Sequence, residues 1–476
     1  MMRKRRAISL MHRTRNIHLV GIGGAGMSGI AEVLINLDFQ VSGSDLRRSP
    51  AVVRLERLGA EIHIGHAAGN LGEADVVVVS GAVDAGNPEI EAARQRRIPV
   101  IARAEMLGEL MRFRQGIAVA GSHGKTTVTS MIATLLAEGG MDPTFIVGGL
   151  VNAFGSGARL GRGRYLVAEA DESDGSFLKL QPVISVVTNI DRDHLDAYRG
   201  SFDKLQEAFL TFLHHLPFFG VAVVCLDDAH VAELLPDIGR QVVSYGFDEQ
   251  ADVRATDVVQ KGVRSTFTLW LANDRAGHEV SMGLPGRHNV LNALAAAAVA
   301  SEVGIGTAAI VRGLNAFGGI GRRFAEIGLL DVDGRQVLAF EDYGHHPTEL
   351  EAIVETVRTG WPERRLVLAF QPHRYTRTRD QFDDFARVLA SADALLLADI
   401  YPAGEEPLTG IDSDFLARAV QRRRNIPLAR AGGVDEAPGR LAELLEDGDF
   451  LMVMGAGDFG GLAALLRQRY GQEAAW

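Results

Sequence analysis

The feature that most constrains this chain lies at residues 116–138. An apolar run, residues 116–120, passes directly into Gly121-Ser122-His123-Gly124-Lys125-Thr126-Thr127 and then into a helix-like stretch from about Lys125 to Glu138. Glycines let main-chain amides face phosphate oxygens, and the positive end of the following helix adds to the attraction. Lys125 is placed to reach the β- and γ-phosphates of ATP, and the Thr126 hydroxyl to ligate Mg2+. The spacing is shorter than G-x-x-x-x-G-K-[ST], because Val119 stands where the first glycine belongs. A glycine-rich turn built only for packing is the bland alternative, and it has little use for a lysine and two hydroxyls at the helix start.

Strand-like and helix-like runs alternate along most of the 476 residues, which is the pattern of α/β domains with parallel sheets. At about 150 residues per domain, three domains are expected. The first block carries strand candidates at 17–20, 39–42, 61–64, 75–80 and 99–101, an amphipathic stretch at 30–37 and a helix over 88–97. The second opens at 116, continues with strands at 165–169 and 182–188 and short β-rich pieces over 241–282, and closes with a helix over 289–303. The third follows the linker-like Gly318-Gly319-Ile320-Gly321 and has buried-strand candidates at 337–340, 366–370, 394–399 and 450–454. The expected domains are 1–113, Rossmann-like with a basic extension over 1–15; 114–320, an ATPase-like domain with a mixed sheet; and 321–476, again Rossmann-like.

Composition removes several classes. With 47% hydrophobic and 23% charged residues the chain is of the soluble globular type. No run of 18 apolar residues occurs, so no membrane insertion is expected. The arginine-rich start lacks a long apolar segment and a cleavage site, and is expected to be a solvated extension. The one cysteine, Cys225, is flanked by valines and leucine and is expected to be a core thiol. These features fit the cytoplasm. A net charge of −11 argues against a general nucleic-acid surface.

A second glycine turn, Gly21-Ile22-Gly23-Gly24-Ala25-Gly26, matches G-x-G-x-x-G between a strand and a helix, and Asp45 follows at the distance of a ribose-binding carboxylate. Alone it suggests a nicotinamide or flavin enzyme, or merely tight strand–helix packing. Two phosphate-binding starts in one chain suggest that one nucleotide is the energy source and the other part of a substrate. Acids cluster at 169–174 and 191–196, beyond two apolar strands, where open sheets place their sites. Most are expected to be solvated loop charges. Glu169, in line with its strand, and His194, flanked by acids, are singled out for magnesium.

These motifs, with S-G-S-D at 42–45, T-N-I-x-x-D-H-L-D at 188–196, H-N-V-L-N at 288–292, G-R-R-F at 321–324, D-Y-G-H-H-P at 342–347 and Q-P-H-R-Y-T-R-T at 371–378, resemble the Mur ligases of peptidoglycan assembly over nearly the whole chain. The resemblance implies a first domain holding a UDP-sugar, a central ATPase and a C-terminal domain that contacts amino acid and ATP. It implies that L-alanine is joined to the lactyl carboxylate of UDP-N-acetylmuramate through an acyl phosphate, with ATP converted to ADP and phosphate and Mg2+ as cofactor. Gly23, Gly24, Gly26, Met27, Ser28, Ser44, Asp45 and Ser80 would then serve the UDP-sugar. Residues 121–127, with Asn289 at adenine, Arg323 at phosphate and Asp342 near ribose, would serve ATP. Thr126, Glu169 and His194 would hold the metal. Tyr343, His373 and Arg377 would surround alanine, the arginine meeting its carboxylate. Lys125, Glu169, His194 and Arg377 are the expected catalytic set.

Bland readings stand beside these. Arg374, Arg377 and Arg379 also suit a solvated helix start. His345-His346-Pro347 also suits a turn entering a helix, and Gly455-Ala456-Gly457-Asp458 is expected to serve the fold alone. Ser122 replaces an expected threonine and keeps the hydroxyl. Later-acting relatives carry a modified lysine beyond D-H-x-D; Lys204 lies too close to the motif for that role. A sister ligase taking a preformed peptide and a nicotinamide-dependent dehydrogenase are the rivals, and the chain is expected to act as a monomer or homodimer.

Overall fold

The computed structural model describes residues 11, 13–84 and 86–471, so the basic extension lies largely outside the described residues. The first sheet is built from β1 (Asn16–Val20), β2 (Gln40–Asp45), β3 (Glu61–Ile64), β4 (Val76–Val79) and β5 (Val100–Ala102), all parallel in the order β3-β2-β1-β4-β5. β4 is four valines in a row. An unbroken β-branched run is what a strand covered on both faces requires. Strand order reverses between β1 and β4, and the crevice of a doubly wound sheet opens at such a point.

The central sheet comprises β6 (Gln115–Ala120), β7 (Thr144–Val151), β8 (Ser156–Arg159), β9 (Tyr165–Glu169), β10 (Ile184–Val187), β11 (Val221–Cys225), β12 (Gln241–Gly246), β13 (Val253–Lys261), β14 (Arg264–Leu271) and β15 (Asp274–Met282). Their order is β15-β14-β13-β12-β11-β10-β6-β9-β7-β8. β10, β6 and β9 run parallel side by side, whereas β7 and β8 pair antiparallel, which makes the sheet mixed. The helix Lys125–Glu138 leaves directly from the loop after β6. The block does not end with the helix Arg287–Glu302; Thr307–Asn315 follows and packs on Lys125–Glu138. Cys225 is buried at the end of β11, a core thiol whose burial pushes its pKa up to about 12.

The third sheet contains β16 (Ala325–Val332), β17 (Arg335–Asp342), β18 (Leu366–Phe370), β19 (Ala394–Ala398), β20 (Leu428–Ala431) and β21 (Phe450–Met454), in the order β16-β17-β21-β18-β19-β20. All pairs are parallel except the β16–β17 hairpin, which turns at Asp333-Gly334. Phe340 stacks on Phe450 at 5.2 Å between ring centroids and Trp361 meets Phe450 at 4.7 Å, an aromatic seal at one end of this core.

The chain divides into two compact units: residues 1–256, 268–280 and 291–318, and residues 257–267, 281–290 and 319–476. Within the first unit one apolar cluster runs from Ile17 and Ile30 through Ile146 and Ala158 to Phe209, so the first two sheets share a core. Among the described residues, no helix is long and apolar enough to cross a membrane.

Candidate functional site

The loop after β6 is shaped by its neighbour. Gly121 has φ +131, and a Cβ there would lie 2.0 Å from Thr188 Oγ1, a separation no side chain tolerates. The segment after β10 laces the loop in place. Thr188 Oγ1 donates to His123 O at 2.6 Å, Asn189 Oδ1 accepts from His123 N at 2.8 Å, and Ser122 N donates to Asn189 O at 3.1 Å. Ser122 Oγ accepts from Asp191 N at 2.8 Å, and the His123 ring meets Asp191 at 2.9 Å. The T-N-I motif is thus a scaffold for the phosphate loop, a role that sequence reading did not give it.

Lys125 folds back over this loop. Its Nζ donates to Gly121 O at 2.7 Å and Ser122 O at 3.2 Å, and pairs with Glu172 at 2.8 Å. Burial works against the ammonium charge, but Glu172, Asp171 and Glu169 outweigh it and raise the lysine above its ordinary range. Burial raises the Glu172 carboxyl to about 7; Lys125 opposes that rise and Asp171 adds to it. Neither Glu172 nor Asp171 was singled out from the sequence, where they were two among several loop acids.

Thr126, Glu169 and His194 sit in the first helical turn after β6, at the end of β9 and just beyond β10, the carboxyl ends of three adjacent strands. Glu169 Oε1 accepts from Gly148 N at 2.6 Å, which fixes the carboxylate against β7. His194 adopts φ 54, uncommon for a side chain of its size, beside Asp193 at 3.4 Å. A hydroxyl and a carboxylate at strand ends are hard oxygen donors of the kind magnesium takes.

The glycine turn after β1 is held from beneath. Gly21 N and Ile22 N donate to Ser44 O at 2.9 and 3.0 Å, and Gly23 N donates to Asp45 Oδ2 at 2.9 Å. The first-turn amides of the helix Ala25–Asn36 are left to face an anion. Gly24 is exposed at the rim, Ser80 lies against Gly21, and Ser28 lines a cavity of about 310 Å³ together with Arg54 and Gly148. Met27 and Ser44, by contrast, are buried, and their side chains belong to the support of the turn. Gly26 lies close against the Arg103 side chain, since a Cβ there would meet Arg103 Nη1 at 2.7 Å. The same guanidinium pairs with Asp171 at 3.1 Å. Arg103 therefore touches the glycine turn of the first sheet and the acid loop of the second, a link between residues 68 positions apart.

In the other unit, Asn289 Nδ2 donates to Pro285 O at 2.7 Å and meets His288 Nε2 at 3.0 Å. Burial and the Arg323 charge lower His288 to about 4, against the weaker pull of Glu349, so the ring is neutral and accepts from Asn289. Asp342, buried at the end of β17, accepts from Phe324 N at 2.8 Å and Gly344 N at 2.7 Å, binding the G-R-R-F turn to the strand. Burial raises its pKa despite Arg323. Arg322 and Arg323 both lie over the Tyr343 ring, at 4.9 and 5.1 Å.

The expected amino-acid residues come together here. Tyr343 contacts His345 at 5.6 Å, His345 contacts His373 at 5.5 Å, and Arg377 Nη1 lies 3.3 Å from His373 Nδ1. Tyr401 stacks on His373 at 5.5 Å and had not been anticipated. Arg377 is 6% exposed, whereas Arg374 is half-buried and Arg379 is exposed. The solvated-helix reading holds for Arg379 and fails for Arg377. His346 caps the helix Pro347–Gly360, with Pro347 in its first turn.

Comparison with known proteins gives three consecutive family matches: the Mur ligase family catalytic domain over residues 16–115, the Mur ligase middle domain over 119–300, and the Mur ligase glutamate ligase domain over 322–457. Among solved structures, the UDP-N-acetylmuramate–alanine ligase of Thermotoga maritima is 26% identical, with a TM-score of 0.80 over 95% of this chain and 98% of that one. A murein peptide ligase from Psychrobacter arcticus is 27% identical, with a TM-score of 0.71 over 97% of this chain and 100% of that one. The UDP-N-acetylmuramate:L-alanyl-gamma-D-glutamyl-meso-diaminopimelate ligase of Neisseria meningitides is 30% identical, with a TM-score of 0.59 over 65% of this chain and all of that one.

Proposed function

Since the chain belongs to the Mur ligase family of ATP-dependent ligases, we propose that it joins L-alanine to the lactyl carboxylate of UDP-N-acetylmuramate in peptidoglycan precursor synthesis. The observation that carries this reading is Arg103, which lies against Gly26 of one glycine turn and pairs with Asp171 beside the other. A single guanidinium thereby touches the turn read as holding the acceptor nucleotide and the acid loop next to the one read as holding ATP. A dehydrogenase would leave Lys125, Glu172 and the laced loop after β6 without a task.

The lactyl carboxylate attacks the γ-phosphorus of ATP, the bond to the β-phosphate oxygen breaks, and ADP leaves. The alanine amino group then attacks the acyl phosphate, loses a proton, and expels phosphate as the amide forms. Lys125 supplies fixed positive charge to the transferring phosphoryl group, and the amides of residues 121–127 orient it. Thr126, Glu169 and His194 would hold magnesium, which when bound offsets phosphate charge. Arg377, buried beside His373, is suited to hold the alanine carboxylate in a two-pronged pair.

The second reading, a ligase that attaches a preformed peptide, is favoured by the likeness to the murein peptide ligase of Psychrobacter arcticus. Phosphate release is measured with ATP, UDP-N-acetylmuramate and, in turn, L-alanine, glycine, L-serine or a muropeptide tripeptide. Turnover with L-alanine and none with the tripeptide is the expected outcome. The reverse pattern selects the second reading, and release that ignores the acceptor refutes both.

A further inference from the structure

Beneath the first glycine turn lies a carboxylate that the chemistry above does not use. Glu89, two residues into the helix Pro88–Gln95, has none of its surface exposed. Its Oε2 accepts from Ser44 Oγ at 2.5 Å, and its Oε1 accepts from Asn70 Nδ2 at 2.5 Å and Ala67 N at 3.3 Å. His18 Nε2 and His66 Nδ1 each stand 3.5 Å from Oε2. Removing a charge from water is expensive, and packing alone would be better served by an apolar side chain. Such a group calls for an account of what its partners hold in place.

The partners lead to the turn. Ser44 spends its one hydroxyl proton on Glu89, so the His66 Nδ1 that lies 2.9 Å from Ser44 Oγ must carry a proton and donate it. Ser44 is thereby fixed from two sides. Its carbonyl receives Gly21 N and Ile22 N, and the next residue, Asp45, receives Gly23 N. Three successive amides of the turn are thus oriented by two residues of β2, and the side chain of the first is anchored on Glu89. Asn87 caps the helix by accepting from Glu89 N at 2.9 Å, which sets where the carboxylate enters the core.

We propose that Glu89 is a positioning residue for the UDP-sugar: through Ser44 its carboxylate holds the Gly21–Gly23 backbone in the shape that presents the next amides to a diphosphate. Glu89 does not touch the ligand and acts only through β2. This rests on the reading that the turn binds a UDP-sugar. It assigns a binding role to a residue remote from the phosphate loop, with no effect on the grip on ATP.

The test compares the full-length protein with Glu89→Gln, which keeps the shape and removes the charge, and with Ser44→Ala, which removes the hydroxyl that links Glu89 to β2 and that also receives His66. Affinities for UDP-N-acetylmuramate and for a non-hydrolysable ATP analogue are measured separately by calorimetry, and KM and kcat by phosphate release. In Glu89→Gln the UDP-sugar affinity falls about tenfold, the loss of one charge-assisted hydrogen bond, with ATP-analogue affinity and kcat unchanged. Ser44→Ala weakens the same affinity about two- to tenfold and decides the matter if Glu89→Gln does not fold. Unchanged UDP-sugar affinity in the folded variants overturns the proposal, as does an equal fall for both ligands, which marks general loosening. Failure of the wild-type protein to bind the UDP-sugar would instead overturn the reading of the turn itself.

Discussion

The two glycine-bearing turns of the first unit follow the same plan, strand to turn to helix where the strand is flanked by parallel neighbours, yet they are stabilised in opposite ways. The turn after β6 carries its own cation: Lys125 lies across the loop, bound to its carbonyls and to Glu172. Its backbone is tied by Thr188 and Asn189 of the neighbouring strand end. The turn after β1 has no cation of its own. It is propped from below by Ser44 and Asp45 and borrows a guanidinium from Arg103. A fixed lysine suits a transferring phosphoryl group, whose charge shifts as the reaction proceeds. A propped backbone with a borrowed arginine suits a diphosphate that is held and not transformed.

The largest effect that would break this contrast comes from Lys125→Ala. Turnover should fall by about 10²- to 10³-fold or more, while calorimetric affinity for UDP-N-acetylmuramate stays at the wild-type value. If UDP-sugar affinity fell as well, the two turns would not be separable. Arg103→Ala is next, because it removes a group that touches the first turn and the acid loop beside the second. KM for the UDP-sugar should rise about tenfold as Asp171 loses its partner, with a smaller change for ATP; a change confined to ATP would assign Arg103 to the wrong turn.

Thr188→Val removes the hydroxyl that holds His123 O and keeps the shape. KM for ATP should rise about two- to tenfold in steady-state kinetics, with the UDP-sugar unaffected. The smallest effect concerns pH. Burial raises Glu89, but the nearby His18 ring and hydrogen bonds from Ser44 and Asn70 more than offset this and hold it at about 2, below its usual 4.5. Because the folded-state value is depressed, the stability it lends is present above about 4.5 and is lost as pH falls through about 2. The gap in Tm between wild type and Glu89→Gln should therefore be widest near neutrality and close between pH 4.5 and 2. A gap that is constant with pH would show that the carboxylate charge does not matter.

Much of the fold was legible because buried parallel strands announce themselves. β9, β18 and β21 are unbroken apolar or nearly apolar runs, and their bounds were read from the sequence without change. β7 and β8 were not found, since Gly148, Gly149 and Gly157 interrupt any alternation there. β16 was hidden by a bulge between Glu326 and Gly328. In the site, the groups that local sequence marked as candidates are the loop at 121–127, Glu169, and Tyr343 with His373 and Arg377. Groups whose meaning lies in a distant partner were not marked. Arg103 sits in an ordinary helix start, and nothing near it signals Asp171 or Gly26. Glu89 follows a proline as a common first-turn acid, and only the folded sheet reveals that it points inward to Ser44. Arg377 could be separated from Arg374 and Arg379 only by burial, which four-residue spacing does not fix.

Gly121 has a consequence for how this enzyme can drift under selection. Every codon change away from glycine introduces a Cβ, and that atom would fall on Thr188 Oγ1. Trimming Thr188 to make room would remove the shorter of the two hydrogen bonds to His123 O, leaving Asn189 Nδ2 at 3.1 Å, and loosen the loop that the change was meant to preserve. The position is closed to single substitutions and poorly open to paired ones. An inhibitor that gripped the backbone at Gly121, and not the side chains around it, would meet a surface from which resistance by point mutation has almost nowhere to arise.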